Sequence, residues 1–269
     1  MFDNTEFVIL SRGRADSVFT LDNLPDQVKS KCYLLVPIEE VEDYSKLGLP
    51  VIGRPSWVTG IHQARQYALD SCIEDNLIML DDGLCFYKIT IDEGKKTMRN
   101  ATLDQTNDIF LEILSHLSEV PMTGVSLRQT NGRDAATDYD FAYRQMNVHC
   151  IKVKYFTENN IRFDKLPLME DFHVILQLLF KGSCNRVTYK YAQGKHGKAK
   201  SNSPGGCSTY RNTELQSECA QKLADMYPEV VNVVEKETKT SFEGMRVRKD
   251  VRVLWKKAYK IGLELCKTK

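Results

Sequence analysis

Residues 77–83, with the sequence Leu-Ile-Met-Leu-Asp-Asp-Gly, constrain the fold more than any other stretch of the chain. Four consecutive apolar residues are long enough for a buried strand, and they run directly into two carboxylates and a glycine. Asp and Gly are common in turns, so Asp81 and Asp82 can simply end the strand. Two adjacent carboxylates can also bind a hard divalent cation that holds a diphosphate, although the stretch taken alone favours the turn. The rest of the chain has to distinguish a turn from a ligand site.

Strands and helical segments alternate from the N-terminus to residue 80. The predicted strands are 7–10, 32–37, 51–53 and 77–80, and the predicted helical segments between them are 18–24, 39–47 and 60–75. This alternation predicts an α/β fold with a mostly parallel central sheet, flanked by helices and joined by right-handed crossovers. Ligands of such sheets bind outside the carboxyl ends of the strands, and Asp81 and Asp82 fall at that edge.

A polar turn, Ser11 to Ser17, follows the first strand and falls at the same edge. A glycine-containing turn between a strand and a helix is where α/β folds bind nucleotides, with backbone N–H groups and arginines facing the ligand. The turn is not a GxGxxG motif, so Arg12 and Arg14 either contact a nucleotide or are solvated surface arginines.

Composition excludes several classes of protein. The chain has 269 residues, 42% hydrophobic and 27% charged, which is typical of a soluble globular protein with a sizeable core. No apolar run reaches the roughly 18 residues that a membrane helix needs, and the acidic N-terminus is not a signal peptide, so cytoplasmic residence is expected. Eight cysteines without a CxxC pair indicate free thiols. A net charge of +1 predicts no strong overall attraction to nucleic acid and leaves a local patch open.

The second half of the chain continues with mixed elements. The pattern predicts strands at 85–91, 123–128, 148–153 and 185–191, a charged loop at 93–102, and helices at 103–119, 172–181, 213–227 and 242–266. His149 alternates with apolar neighbours on a strand, which favours a packed histidine over a catalytic one. Glu170 and Asp171 open a helix, where carboxylates stabilise the N-terminus by capping or serve as functional groups.

Two basic regions lie near the C-terminus. Residues 194–207 are rich in Gly, Ser and Lys and have little to bury, which predicts either a surface loop or a lid that orders on an anionic ligand. Residues 242–266 are the most basic part of the chain, with Trp255 and Tyr259 at i, i+4 spacing. That spacing favours packing of the two aromatic side chains on a buried face.

Four segments in order give a specific resemblance: Ser-Arg-Gly-Arg-Ala-Asp after strand one, Val36-Pro37-x-Glu39, Met79-Leu80-Asp81-Asp82, and Glu170-Asp171-Phe172. In this order they resemble a GT-A type glycosyltransferase, and in more detail the TET/JBP-associated glycosyltransferases, phage-related enzymes that add sugars to hydroxymethylated bases in DNA. The resemblance covers roughly residues 5–210. It implies a GT-A domain over 1–210 and leaves 211–269 as a C-terminal helical extension packed on it.

The resemblance also implies roles for individual residues. Ser11, Arg12, Arg14 and Asp81 would bind a nucleoside-diphosphate sugar, most simply a UDP-sugar. Asp82 and Asp81, with His196 from the late loop, would hold a divalent metal, Mn or Mg, that stabilises the departing diphosphate. Glu170 and Asp171 match the catalytic element, and Asp171 would take the proton from the acceptor hydroxyl in an inverting enzyme. Retaining enzymes share the fold.

One position departs from the family pattern. The family often has a third acidic residue after the pair, and this chain has Gly83. Metal coordination would then fall to Asp82 or be weakened.

The expected acceptor is a hydroxymethylated pyrimidine in DNA. Candidates for contact with the phosphate backbone are basic side chains of the late loop and the C-terminal region, and Trp255 would stack on a base. The basic residues are Lys195, Lys198, Lys200, Arg246 and Arg248. Two other readings stay open: a GT-A-like nucleotidyltransferase that releases pyrophosphate, and a non-catalytic DNA-binding module.

Overall fold

A single large sheet forms the centre of the computed structural model, which describes residues 2–129, 131, 137–197, 204–242 and 245–268. In these residues, ten strands form the sheet in the order β3-β2-β1-β4-β9-β7-β10-β5-β6, with β8 paired to β10. The strands are β1 (Thr5–Leu10), β2 (Cys32–Pro37), β3 (Val51–Arg54), β4 (Asn76–Asp81), β5 (Leu84–Asp92), β6 (Lys95–Asn100), β7 (Met122–Leu127), β8 (Tyr139–Phe141), β9 (Val148–Lys152) and β10 (Asn185–Lys195).

The first four strands form the parallel half of the sheet. β1 pairs in parallel with both β2 and β4, and β2 pairs in parallel with β3. Alternate residues of β1 enter the cores on opposite faces, since Phe7 and Ile9 lie in one cluster and Val8 and Leu10 in the other. Burial of both faces explains why these strands are nearly continuous apolar runs. The predicted α/β class with its parallel strand order is confirmed.

The other half of the sheet is built largely from antiparallel pairs. β9 runs antiparallel to β4 and β7, and β5 runs antiparallel to β10 and β6. β10 pairs in parallel with β7, and a register shift between Thr188 and Ala192 lets it continue to Lys195. β6 falls in the segment predicted to be a charged loop, and that prediction is wrong. A hairpin with β5 accommodates the charges because β6 is an edge strand.

Helices cover both faces of the sheet. α3 and α6 pack in one core, and α4 packs with β1 and β5 in the other. The helices are α1 (Asp26–Lys29), α2 (Val41–Tyr44), α3 (Ile61–Ser71), α4 (Leu103–Ser115), α5 (Val153–Glu158), α6 (Glu170–Phe180), α7 (Thr213–Met226) and α8 (Trp255–Lys267). The helix predicted at 18–24 is replaced by short 3-10 turns at Ala15–Ser17 and Leu21–Asn23.

The C-terminal region is mixed, and the prediction of one helix over 242–266 is wrong in its first half. Two antiparallel strands, β11 (Val231–Phe242) and β12 (Met245–Val253), precede α8. Val247, Val251 and Val253 alternate with polar residues, which is a strand period that the high charge of the segment concealed. α8 packs closely on α6 at Gly262. A Cβ at this position would lie only 1.8 Å from the carbonyl oxygen of Leu179, so a residue with a side chain would not fit here.

Helix length bears on membrane insertion. Among the described residues, no helix combines the length and the apolar character that spanning a bilayer requires.

Candidate active site

A cavity of about 1060 Å³ opens at the carboxyl ends of β1, β3 and β4. The structure brings most of the predicted site residues into its lining: Ser11, Arg12, Arg14, Asp81, Asp82, Glu170, Asp171, Lys195, His196 and Arg248. These residues come from distant parts of the sequence. Their convergence on one cavity favours the ligand site over a simple turn at Asp81 and Asp82.

The turn after β1 is fixed by Asp82. Its Oδ1 accepts a hydrogen bond from Arg14 Nη1 at 3.0 Å, and its Oδ2 accepts one from Ser11 Oγ at 2.8 Å. Burial raises the pKa of Asp82, while the charge of Arg14 and the Ser11 hydrogen bond lower it. Tyr44 Oη accepts from the Arg14 backbone N–H at 2.9 Å. Asp82 therefore braces the turn after β1 through protein contacts.

A buried arginine connects the two acidic elements. Arg65, on α3, donates to Asp81 Oδ1, to Glu170 Oε1 and to His149 Nε2, each over 2.9 Å. Burial lowers the pKa of Arg65, but Glu170, Asp81 and Asp171 reverse that effect and leave the pKa raised. The network holds the end of β4 and the start of α6 at a fixed separation.

Sequence reasoning missed Arg65, although a signal was present. The residue lies between Ala64 and Ala68 on the apolar face of α3, where a charge needs a buried partner. His149 is the packed histidine predicted, fully buried against Phe163 and bonded to Arg65. Burial and the nearby guanidinium lower its pKa, which keeps the imidazole neutral.

The two carboxylates that open α6 are both buried but differ in their partners. Glu170 is tied to Arg65, and burial raises its pKa to about 7. Asp171 is 7% exposed, and in the part of the chain that the structure describes its Oδ2 has no hydrogen-bond partner. Burial raises the pKa of Asp171, opposed mainly by the charge of Arg144. Asp171 thus lines the cavity and carries a buried carboxylate oxygen that has no partner among the described residues.

The residues after β10 contact the turn after β1 and the turn after β4. The His196 backbone N–H donates to Gly83 O at 2.8 Å, and its ring stacks on Phe19 with centroids 4.4 Å apart. Further along, Arg14 Nε and Nη2 donate to the carbonyl oxygens of Pro204 and Gly205.

Gly205 marks the tightest point of this contact. Its φ is +85°, and a Cβ there would lie 2.5 Å from Arg12 O and 2.7 Å from Gly13 O. Gly206 adds a backbone hydrogen bond from its N–H to Arg12 O at 2.8 Å. Only glycine fits where two backbones approach this closely.

The predicted metal ligands lie near one another without forming a ligand set. Among the described residues, no group of three or more His, Cys, Asp or Glu side chains is arranged to hold a metal ion. Asp82 is bonded to Arg14 and Ser11, Asp81 to Arg65, and the His196 ring stacks on Phe19. A guanidinium within 3.0 Å of each carboxylate opposes the approach of a divalent cation, so these side chains do not fit a metal as they are arranged.

The predicted DNA contacts fall in three places. Lys195 is exposed at the rim of the cavity, and Arg248, from β12, lines its wall. Trp255 lies outside the lining and packs on Phe172, with ring centroids 5.6 Å apart. Lys198, Lys200 and the side chain of Arg246 lie outside the described residues.

Three further arginines line the cavity that sequence reasoning did not identify: Arg54, Arg144 and Arg211. In the described residues, the buried Nε atom of each has no hydrogen-bond partner. Arg54 directly follows the strand predicted at 51–53, at the ligand-binding edge, which was the available signal, and it is the last residue of the observed β3. The cavity is therefore strongly basic and suited to an anionic ligand.

The fold, with a basic cavity at the carboxyl ends of its parallel strands, is of the GT-A type. The solved structure of GalNAc-T7 with UDP, GalNAc and Mn²⁺ shares the fold, with a TM-score of 0.51 and 13% identity over 84% of this chain. This chain covers 50% of the GalNAc-T7 chain. A structure of S. aureus TarS 1-349 with UDP-GlcNAc is also similar, with a TM-score of 0.46, 13% identity, and 82% and 66% of the two chains covered.

The chain belongs to the TET-associated glycosyltransferase family, whose model matches residues 5–205. A relative from Enterobacteria phage T6, named beta-glucosyl-HMC-alpha-glucosyl-transferase, is 22% identical over 241 residues, which are 83% of this chain and 81% of the relative. The family and the glycosyltransferase class expected from the sequence are confirmed.

Proposed function

We propose that this enzyme transfers a sugar from a UDP-sugar to the hydroxyl of a hydroxymethylated pyrimidine in DNA. The observation that carries the proposal is Asp171, a buried carboxylate whose Oδ2 has no partner among the described residues, facing the same cavity as the Arg12 and Arg14 turn. Family membership supports the reaction class, and the name of the T6 relative supports the kind of acceptor.

The donor would bind at the edge formed by β1 and β4. Ser11, Arg12 and Arg14 surround this end of the cavity, and Asp81 keeps 30% of its side chain exposed there. A partly exposed carboxylate beside a bound nucleotide can accept hydrogen bonds from ribose hydroxyls. Asp82, by contrast, acts within the protein by holding Ser11 and Arg14 in place.

The chemistry assigns different work to the two carboxylates of α6. Asp171 accepts the proton from the acceptor hydroxyl as that oxygen forms a bond to the anomeric carbon, and the bond from this carbon to the donor phosphate oxygen breaks. The nucleoside diphosphate leaves with the bonding electron pair. Glu170 is a positioning residue, because its Oε1 is bonded to Arg65 at 2.9 Å and its helix carries Asp171.

Metal assistance is what the family resemblance implies, and the GalNAc-T7 structure contains Mn²⁺. In this chain the carboxylates expected to bind metal are bonded to Arg14 and Arg65. The proton transfer and bond cleavage proposed above therefore rely on residues of this chain.

The acceptor would approach from the side of Lys195 and β12. Arg248 lines that wall and lies opposite Lys236 across the two strands of the hairpin. Asp250 Oδ2 lies between them, 2.9 Å from Lys236 Nζ and 3.7 Å from Arg248 Nη2. A two-stranded basic ribbon matches the dimensions of a DNA groove. Lys198, Lys200 and Arg246 remain predicted contacts, whereas the packing of Trp255 on Phe172 argues for a structural role of that side chain.

The experiment starts with a donor screen and ends with product analysis. Nucleoside diphosphates and their sugars are tested for stabilisation of the protein in a thermal shift assay, since a ligand of the native state raises its stability. The protein is then incubated with the stabilising donor and hydroxymethylcytosine DNA. The DNA is digested to nucleosides, and their masses are measured by mass spectrometry. We expect a nucleoside heavier by one sugar.

Three outcomes contradict the proposal. Absence of added sugar with any donor would refute it. Release of pyrophosphate with a nucleotidyl group on the acceptor would identify a nucleotidyltransferase. DNA binding without turnover, unchanged by Asp171→Asn, would identify a binding module.

A further inference from the structure

Several arginines line the cavity at the edge where the diphosphate of the proposed donor would bind. Both oxygens of Asp82 accept hydrogen bonds from Arg14 and Ser11, and Asp81 Oδ1 accepts one from Arg65. Each carboxylate expected to hold a cation is already neutralised by a guanidinium group. A diphosphate at this edge would therefore meet arginines where a metal site would present a divalent ion.

Among the arginines that line the cavity, Arg54 combines deep burial with an Nε atom that is unpaired in the described residues. It is 4% exposed at the carboxyl end of β3, lines the cavity, and in the described part of the chain its Nε has no hydrogen-bond partner. Burial lowers the pKa of Arg54 and the charge of Arg12 lowers it further, while the charges of Glu40 and Glu39 raise it. A buried guanidinium without an ion pair is costly unless a ligand supplies the counter-charge.

Arg12 has a similar position. Its Nη1 donates to the carbonyl oxygen of Thr59 at 2.8 Å, which is a neutral partner, and Thr59 lies just before α3. The first N–H of α3, that of Ile61, donates to Tyr210 Oη at 3.1 Å, so the helix start is already covered. Arg12 and Arg54 both line the cavity, so two guanidinium groups are available to an anion that binds there.

We propose that Arg12 and Arg54 bind the diphosphate of the donor and stabilise the departing nucleoside diphosphate, so that this enzyme works without a divalent metal. This inference rests on the proposed function and assigns the charge-stabilising role within it. Arg54 donates N–H groups in a planar fork that matches two phosphate oxygens. We call Arg12 and Arg54 together the diphosphate clamp. Arg14 supports this clamp indirectly, since its side chain bonds Asp82 and Pro204 and so fixes the turn that carries Arg12.

Calorimetric titration of the full chain with UDP tests the inference, and uridine is the phosphate-free probe. With EDTA present, we expect wild type to bind UDP with a Kd within about threefold of its value in Mn²⁺. Arg54→Gln and Arg12→Gln should each weaken UDP about 10- to 100-fold, the loss expected for charge-assisted hydrogen bonds. Neither variant should change uridine binding. Arg54→Lys should recover part of the loss, because it restores the charge without the fork.

Arg99→Gln is the matched control, since Arg99 is exposed on β6 at the opposite edge of the sheet. It should bind UDP as wild type does. A thermal shift of each variant confirms that it is folded. If Arg54→Gln does not fold, Arg12→Gln and Arg54→Lys still report on the clamp.

The inference and the proposed function fail in different ways. UDP binding and sugar transfer that both require Mn²⁺, or UDP binding unchanged in Arg54→Gln and Arg12→Gln, would overturn the clamp while the glycosyltransferase assignment stands. Failure of wild type to bind UDP or any other nucleoside diphosphate in either buffer would overturn both.

Discussion

Removal of the Arg65 guanidinium should destabilise the protein more than any other single charge change. Arg65 is 4% exposed and bonds Asp81, Glu170 and His149 at once. Arg65→Met keeps most of the side-chain volume and leaves Glu170, 9% exposed in its side chain, without its cation. Breaking a buried pair by removing one partner costs about 3–5 kcal/mol. For a domain of this size that corresponds to a fall in Tm of about 6–20 °C.

The loss should depend on pH with a defined sign. In wild type the pKa of Glu170 rises from 4.5 to about 7 on folding, so this group's contribution to stability is present at low pH and is lost as pH rises through that window. Arg65→Met removes the charge that opposes the rise, which moves the pKa of Glu170 higher. Each additional unit costs about 1.4 kcal/mol above the new pKa. The loss in free energy of unfolding caused by Arg65→Met should therefore be smallest near pH 5 and largest near pH 8, because Glu170 becomes ionised between these two values.

Urea denaturation at these two pH values measures the effect, with Arg162→Met as the control. Arg162 pairs with Asp164 at 2.6 Å but is 31% exposed, so its loss should cost less than about 1 kcal/mol. Equal destabilisation by the two substitutions, or a larger loss for Arg65→Met at low pH than at high pH, would refute the role given to the network.

Three further predictions concern the loop, the base and the acceptor wall. Gly205→Ala should weaken UDP binding, because its Cβ would lie 2.5 Å from Arg12 O. Gly48→Ala is the control, since Gly48 also has a positive φ but a Cβ there meets nothing within 4 Å, and UDP binding should be unchanged. Calorimetric titration with UDP distinguishes the two variants. The kcat/KM profile should fall on the acid side with a pKa above the ordinary 3.8 of aspartate, because burial raises the pKa of Asp171; a flat profile would contradict this. Arg248→Glu should lower affinity for duplex DNA and reduce its salt dependence while leaving UDP binding unchanged, as measured by fluorescence anisotropy at several salt concentrations.

The parallel half of the fold could be predicted because local and tertiary signals agree there. Strands 32–37 and 77–80 are apolar runs buried on both faces, and the glycine and polar turns around them fix their ends. The C-terminal hairpin was missed because Arg248, Lys249 and Arg252 gave a strand the composition of a basic helix. Tertiary pairing with β11 decides that segment, and pairing is not visible in a local window.

The site was predicted in part for a related reason. Residues that end strands, such as Asp81 and Arg12, could be found because a parallel sheet gathers strand ends at one edge. Arg54 follows a predicted strand at the same edge and could have been found in this way, whereas the role of Arg65 depends on the distant carboxylates that it meets. Asp82 shows the limit most clearly, because sequence order suggested a metal ligand and the structure bonds it to Ser11 and Arg14.

The most direct test of the central claim compares sugar transfer by wild type, Asp171→Asn and Asp104→Asn on hydroxymethylcytosine DNA with the donor that the screen selects. Asp104 is an exposed carboxylate in the first turn of α4 and controls for loss of a charge at a helix start. Mass analysis of digested nucleosides should show added sugar with wild type and Asp104→Asn, and a rate at least about 10²-fold lower with Asp171→Asn, which still binds UDP. Sugar transfer by Asp171→Asn at the wild-type rate, or no added sugar with wild type, would contradict the account.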